Sequence, residues 1–238
     1  MSETVSVPAR FNGPETSGHG GYCCGTFARF LEAPAEVTLR SPVPLDTPLE
    51  IVREGDGSIR VLGGELLVAE VSEAPELDLA VPSPVSLAEA ERARGRYRGT
   101  ADGLFGRCFV CGRGRDDALG VFAGTVDGRE VVASPWTPPD WTAAQSGAVR
   151  PEFIWAVLDC PTYFAVYRGD ELPVSFLGRL AVRLEGTVSA GEQHVVISWP
   201  IGVDGRKRQA GAALLTADGA PLAVARALMI EPREQPVP

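Results

Sequence analysis

An internal repeat limits the fold of this chain more than any other feature. Residues 36–40 (EVTLR) and 181–185 (AVRLE) both alternate apolar and polar side chains, a pattern typical of strands with one buried face. Farther along each copy, Asp-Gly pairs at 56–57 and 204–205 separate strand-like runs, as hairpin turns do. Each copy then closes with one more strand-like run. The repeat therefore predicts two similar antiparallel units.

A helix candidate precedes each strand block, at 20–32 in the first copy and at 151–167 in the second. Pro151 suits a first helical turn, where its missing N–H is not needed. Each unit then has one helix followed by four antiparallel strands, and the second unit adds lead-in strands at 119–123 and 130–134. This order predicts an α+β fold in which the two units form an internal pseudo-dimer.

A connector separates the two units. It contains Ser86-Leu87-Ala88-Glu89, which has the form of a helix capping box. Good helix formers fill residues 90–98, and Gly99 is a suitable stop. We therefore predict an N-terminal unit over residues 1–74, a connector with a short surface helix acting as a spacer over 75–106, and a C-terminal unit over 107–238.

The composition of the chain limits which partners it can bind and in which cellular compartment it is expected. The chain has 238 residues and a formal net charge of −9, which disfavours a nucleic-acid partner because phosphate binding needs clustered cations. No apolar run approaches the roughly 20 residues of a membrane helix, and residues 1–13 lack the pattern of a signal peptide. Five irregularly spaced cysteines fit a reducing compartment. We expect a cytoplasmic protein that binds neither nucleic acid nor a membrane.

Four segments carry a resemblance to a known family. They are Phe11-Asn12-Gly13-Pro14, Ser17-Gly18-His19-Gly20-Gly21-Tyr22, Cys108-Phe109-Val110-Cys111-Gly112 and Trp155-Ala156-Val157-Leu158-Asp159. Together they resemble the hotdog-fold thioesterase superfamily, and in particular its tandem, double-hotdog acyl-CoA thioesterases. The resemblance covers almost the whole chain outside the connector.

The resemblance implies both a fold and an activity. The fold is a double hotdog, in which two antiparallel sheets each wrap a long helix. The activity is hydrolysis of acyl-CoA or acyl-carrier thioesters in fatty acid metabolism. Coenzyme A would enter as part of the substrate, with no further cofactor. We also expect tandem units to pair into a homodimer, because hotdog sheets often associate.

Thioester hydrolysis needs donors for an oxyanion and a group that activates water. Gly20 and Gly21 stand at the start of the first helix, where exposed N–H groups carry partial positive charge. The alternative is that these glycines only permit a tight turn. Asp159 lies inside an otherwise apolar helix and is the candidate general base or nucleophile. Its alternative roles are to bond the backbone near Pro161 or to end the helix.

The two units divide the motif of the resembled family between them. The position that should hold the acid of the first unit is Ala28, and the position that should hold the histidine of the second unit is Arg150. We therefore predict one composite active site, in which the glycine amides of the first unit face Asp159 of the second. Tandem thioesterases often use a Gln on the closing strand. Arg226 stands there instead, so that part of their mechanism does not carry over.

The substrate-binding candidates follow from the same resemblance and from charge. Asn12 or Gln145 could orient a water molecule, and His19 is expected to fix the turn beside the site. Arg107, Arg113 and Arg115 form a basic cluster that could hold CoA phosphates. The full set is Asn12, His19, Tyr22, Gln145, Trp155, Arg107 and Arg113, of which Trp155 is a candidate for lining an acyl pocket.

The cysteines suggest a metal only weakly. Cys108 and Cys111 have the C-x-x-C spacing found in zinc and redox sites. No second C-x-x-C or nearby His pair completes a tetrahedral set, and the adjacent Cys23 and Cys24 are poorly placed to chelate together. We therefore expect no metal.

Two other functions remain open at this stage. A hotdog hydratase or dehydratase needs a catalytic His with an acid, which His19 and Asp159 could supply. A non-catalytic protein that binds or senses acyl-CoA would explain why each unit has lost part of its site. Assays on acyl-CoA esters would separate these two functions from hydrolysis.

Overall fold

The computed structural model describes residues 3–169 and 171–234. Three α-helices lie in these ranges: α1 (Gly20–Ala28), α2 (Leu87–Arg94) and α3 (Pro151–Val166). The strands are β1 (Glu3–Val5), β2 (Ala35–Leu39), β3 (Leu49–Arg53), β4 (Ile59–Gly63), β5 (Leu66–Glu73), β6 (Gly124–Thr125), β7 (Val132–Trp136), β8 (Phe176–Leu184), β9 (His194–Asp204), β10 (Lys207–Thr216) and β11 (Pro221–Ile230). Short 3-10 helices span Ala9–Phe11 and Asp140–Thr142.

All of these strands belong to one antiparallel sheet with two matching halves. Its order is β1-β3-β4-β5-β2-β8-β11-β10-β9-β7-β6. The order β3-β4-β5-β2 in the first half is the mirror of β8-β11-β10-β9 in the second. The halves join where β2 pairs with β8, with Val37 opposite Leu180. The prediction of an α+β fold, built from two units of one helix and four strands, is confirmed.

Helices α1 and α3 pack against each other and against the same face of the sheet. Two glycines of α1 allow the close approach. A Cβ on Gly21 would lie 2.6 Å from the Trp155 carbonyl oxygen, and one on Gly25 would lie 2.7 Å from Glu152 Cα. Because Gly21 lies opposite a later turn of α3 than Gly25 does, the helices run antiparallel. The N-terminus of α1 therefore faces the middle of α3.

The helix limits differ slightly from those expected. Helix α1 ends at Ala28 rather than at residue 32, and α3 ends at Val166, one residue early. The predicted strand at 119–123 is wrong. The amides of Leu119 and Val121 donate to the carbonyls of Phe109 and Val110, outside the sheet. The alternating pattern arises because Leu119, Val121 and Ala123 are buried in the core while Gly120 and Phe122 are half-buried.

The connector helix does more than link the units. Ser86 and Glu89 form the expected capping box, but α2 ends at Arg94 instead of continuing to residue 98. The chain turns away because Tyr97 enters the core, where its hydroxyl donates to the Cys111 carbonyl at 2.6 Å. The spacer interpretation was wrong, since α2 covers the outer face of the second half of the sheet. Residues buried there include Ala90, Ala93, Val131, Val195, Ile197, Trp199 and Val224.

None of the helices within residues 3–169 and 171–234 is both long and apolar enough to cross a membrane. The proposed unit boundary after residue 74 follows directly on β5, which ends at Glu73.

Candidate active site

The loop before α1 fixes the start of that helix. His19 is the N-cap residue, and its Nδ1 accepts a hydrogen bond from the Tyr22 amide at 3.2 Å. The His19 amide in turn donates to the Phe11 carbonyl at 2.8 Å. Gly18 is confined between neighbours, because a Cβ there would lie 2.5 Å from Cys23 Sγ. The first turn of α1 is therefore held in one orientation by bonds on both sides of its N-cap.

The structure brings Asp159 to this helix start. Its Oδ2 accepts a hydrogen bond from the Gly21 amide at 2.7 Å and lies 3.6 Å from His19 Nε2. The residue is 6% exposed. Burial raises the pKa of the Asp159 carboxyl, although attraction to His19 and the bond from Gly21 oppose the rise. A raised pKa makes the carboxylate a stronger base, which suits it to accept a proton from water.

Neither alternative role of Asp159 matches its surroundings. The helix continues through Pro161 as far as Val166, so Asp159 does not end it. The hydroxyl of Thr162 donates to the Asp159 carbonyl at 2.6 Å, which provides a local bond beside Pro161. The Asp159 carboxylate instead reaches across to α1.

Gly20 and Gly21 have different surroundings. The Gly21 amide is used by Asp159. The Gly20 amide has no hydrogen-bond partner within residues 3–169 and 171–234, and Gly20 lies on the wall of a cavity. At a helix N-terminus such an N–H points outward and attracts negative charge. Gly20 therefore offers the free donor, whereas Gly21 orients the carboxylate.

The cavity has a volume of about 640 Å³ and is lined by residues from both units and from the connector. Its polar groups include His19, Gly20 and Asp159. Apolar side chains cover much of the remaining wall, among them Leu39, Phe105, Tyr163, Phe164, Leu177 and Met229. A cavity of this size and polarity is typical of a small-molecule site.

The mirror position in the pseudo-dimer has no equivalent chemistry. His19 and Arg150 are the N-caps of α1 and α3, so these two residues correspond. Counting the same number of residues from each N-cap leads to Ala28 in α1 and to Asp159 in α3, so these two residues also correspond. Arg150 has no side-chain capping bond and instead lies over the Phe153 ring at 4.6 Å. The acid and the histidine therefore meet at one of the two pseudo-equivalent positions.

Most of the predicted substrate-binding residues lie away from the cavity wall. Asn12 binds the loop 107–115: its Nδ2 donates to the Arg107 carbonyl at 3.1 Å, and its Oδ1 accepts from Arg115 at 2.7 Å. Tyr22 is buried and stacks on Phe11 at 4.2 Å. Both side chains stabilise the loop before α1, because they join it to neighbouring segments.

The other candidates have structural or solvent-exposed positions. Trp155 is buried where α3 crosses Gly25 of α1. Gln145 is exposed on the loop before α3. Arg107 donates to the Gly114 carbonyl at 2.7 Å, and Arg113 lies over the Tyr97 ring at 5.1 Å. Of the seven predicted binding residues, His19 alone lines the cavity within the described ranges.

Sequence reasoning missed a group of thiols on the cavity wall. Cys160 Sγ lies 3.2 Å from His19 Nε2 and 3.8 Å from Cys108 Sγ, and Cys111 also lines the cavity. The C-x-x-C spacing marked Cys108 and Cys111, but nothing in the sequence connected them to Cys160. The remaining thiols, Cys23 and Cys24, are fully buried in α1, where burial raises their pKa.

The thiols do not form a Cys-His-Asp triad. In such a triad the acid binds the imidazole nitrogen opposite the one that faces the nucleophile. Here both Cys160 and Asp159 approach Nε2 of His19, while Nδ1 accepts from the Tyr22 amide. In the neutral ring the proton therefore lies on Nε2.

Comparison with known proteins supports the fold. No protein-family model matches this sequence, and no curated protein sequence is significantly similar to it. A hot dog fold protein of unknown function from Alicyclobacillus acidocaldarius is 12% identical, with TM-score 0.63, over 98% of this chain and 93% of that chain. A candidate thioesterase from Novosphingobium aromaticivorans is 14% identical, with TM-score 0.60, over 96% and 94%.

A third structure, the tesB protein of Mycobacterium avium subspecies paratuberculosis, is 13% identical, with TM-score 0.59. It matches 95% of this chain and 90% of its own. At these identities the likeness concerns the fold, and it extends over both units and the connector. By its fold, this chain is a hotdog protein with two hotdog units in one polypeptide.

Proposed function

We propose that this protein hydrolyses acyl-CoA or acyl-carrier thioesters at one composite site between its two units. The observation that carries the proposal is the position of the Asp159 carboxylate. It is held by the Gly21 amide at the start of the other unit's helix, on the wall of an apolar cavity. The name of one similar structure, the candidate thioesterase from Novosphingobium aromaticivorans, agrees with this chemistry.

The proposed reaction uses Asp159 as general base. Because Oδ2 is bonded to Gly21, Oδ1 is left to take a proton from water, whose oxygen then attacks the thioester carbon. The Gly20 amide donates to the oxyanion that forms. When the intermediate collapses, the carbon–sulfur bond breaks and the proton on Asp159 passes to the leaving thiolate. The products are a carboxylic acid and a free thiol.

The cavity suits an acyl chain. Apolar side chains from both units cover much of its wall, so a bound acyl group would be removed from water. The exposed Arg107 remains a candidate for contacting CoA phosphates, because its ion pair with Glu15 is between two exposed side chains and is easily exchanged. The acyl chain would then lie inside the cavity, and the CoA or carrier-protein part of the substrate would lie outside it.

The test is a panel of acyl-CoA esters with detection of the free thiol. Asp159→Asn removes the base while keeping the size of the side chain, so kcat should fall by about 10²- to 10⁴-fold. The matched control is Asp218→Asn in the exposed β10–β11 turn, which should retain full activity. Unchanged turnover in a folded Asp159→Asn protein would reject the proposal.

A non-catalytic acyl-CoA-binding protein is the alternative, and the missing acid at Ala28 is the observation that favours it. The same panel decides between the two. Saturable binding of an ester without release of thiol, in both the unaltered protein and Asp159→Asn, would favour binding alone. A hydratase would instead interconvert enoyl and hydroxyacyl esters without releasing thiol.

A further inference from the structure

Three cysteines from two separate segments meet on the cavity wall beside Asp159. Cys108 and Cys111 lie in a tight turn, closed by a bond from the Gly112 amide to the Cys108 carbonyl at 2.8 Å. Gly112 is required there, because any Cβ would collide with the Cys108 backbone. Cys160 lies on α3, and its Sγ is 3.8 Å from Cys108 Sγ. Cys111, which lies in the same turn as Cys108, lines the same cavity as Cys108 and Cys160.

The sulfur separation fits a shared metal ion. With zinc–sulfur bonds of about 2.3 Å and tetrahedral angles, two thiolates bound to one ion lie about 3.8 Å apart. Cys108 and Cys160 already have this separation. A disulfide would require the same two atoms to approach to about 2.05 Å. The two side chains are thus placed to share an ion without moving.

His19 contributes to the cluster as a donor. Its Nε2 and the sulfurs of Cys108 and Cys160 lie within 4.8 Å of one another. A metal-binding histidine normally donates through its other ring nitrogen. In His19 that nitrogen, Nδ1, accepts from the Tyr22 amide, so Nε2 keeps the proton. The Nε2–H group then donates to Cys160 Sγ at 3.2 Å.

We propose that Cys108, Cys111 and Cys160 bind a zinc ion as thiolates, with His19 as their hydrogen-bond donor. Sulfur ligands favour zinc over the harder divalent cations. Because all three cysteines line the cavity, the fourth coordination position faces its interior, where water can occupy it. The ion would join the turn at 108–112 to α3. The proposal does not depend on thioester hydrolysis.

The experiment measures metal in protein purified with a thiol reductant. The full-length chain should contain one zinc ion, and Cys108→Ala, Cys111→Ala and Cys160→Ala should each lose most of it. Cys24→Ala is the matched control, since this thiol is buried in α1 outside the cluster. Zinc retained by all three cluster variants would overturn the proposal. The assay needs no substrate, so a failure of the proposed hydrolysis leaves its result unaffected.

Two further measurements guard against misfolded variants and test the role of His19. Unaltered protein, stripped with a chelator and loaded with Co²⁺, should gain thiolate-to-cobalt charge-transfer absorption that added Zn²⁺ abolishes. If the protein binds neither Co²⁺ nor Zn²⁺ while its thiols are reduced, the proposed metal site is refuted. His19→Asn keeps an N-cap side chain and should keep the zinc. Loss of zinc from a folded His19→Asn protein would overturn the three-sulfur assignment.

Discussion

At the scale of single residues, adjacent glycines in α1 have separate tasks. Gly20 faces the cavity with an amide that has no hydrogen-bond partner in the described part of the chain, while Gly21 lies against α3 and bonds Asp159. A Cβ on Gly20 would lie 3.0 Å from Cβ and Cδ2 of Leu177 and 3.1 Å from Asp159 Oδ2, which are all side-chain atoms. On Gly21 it would meet the Trp155 carbonyl, which belongs to the α3 backbone and cannot easily shift. Packing explains Gly21 more directly than catalysis does.

Gly21→Ala should therefore destabilise the protein by about 1–3 kcal/mol, because the new methyl group pushes α1 away from α3. The free energy of unfolding, measured by urea denaturation, checks this value. Gly55→Ala is the control, since its added Cβ would have no neighbour within 4 Å. If both variants unfold at the same urea concentration as the unaltered protein, the close helix contact is incorrect.

Some of the site residues could be predicted from the sequence and others could not. Asp159 was identifiable because a carboxylate inside an apolar helix needs a partner, and the repeat indicated where that partner lies. The contact between Cys160 and Cys108 could not be predicted, because it depends on how α3 meets a turn 52 residues away. The positions of Tyr22 and Trp155 were ambiguous for a related reason. Apolar side chains fill cores and line cavities alike.

At the scale of elements, the connector helix α2 begins at a local capping motif and packs on the sheet. Ser86 accepts from the Glu89 amide, and the Glu89 carboxylate accepts from the Ser86 amide at 2.9 Å. This box orients α2 so that Ala90 and Ala93 are fully buried. The capping pattern was readable because it is local. The burial of α2 was not, because it depends on distant strands with both faces apolar, such as Val195 and Val196 of β9.

Ser86→Ala should lower the free energy of unfolding by about 1 kcal/mol, because the hydroxyl that accepts from the Glu89 amide is lost while the Ser86 backbone amide remains. Thermal or urea unfolding provides the measurement. Ser83→Ala, three residues earlier on an exposed part of the connector, should leave stability unchanged. Equal effects from the two substitutions would argue against a capping role for Ser86.

At the scale of the whole molecule, one sheet runs through both units. The pairing of β2 with β8 is reinforced by Arg179, whose Nε donates to the Thr38 hydroxyl at 2.9 Å and whose guanidinium lies 3.3 Å from Glu36. Helices α1 and α3 add a buried interface on one face. Because the larger core contains residues of both units, we expect the two to unfold together.

The tryptophans make this expectation testable. All four lie in the second unit, at 136, 141, 155 and 199, so their fluorescence reports on that unit. Far-ultraviolet circular dichroism reports on both units. The two signals should follow one urea transition with the same midpoint. Separate midpoints would mean that the units unfold independently and that the shared sheet and helix contact contribute little.

Corresponding positions of α1 and α3 carry different residues, and this difference affects how many ligand molecules each chain can bind. In a symmetric dimer of identical subunits, every substitution occurs twice, so both sites survive or neither does. Covalent fusion removes that restriction: this chain keeps an acid at Asp159 while the corresponding residue is Ala28. Each polypeptide should accordingly engage one ligand molecule where an unfused pair would engage two.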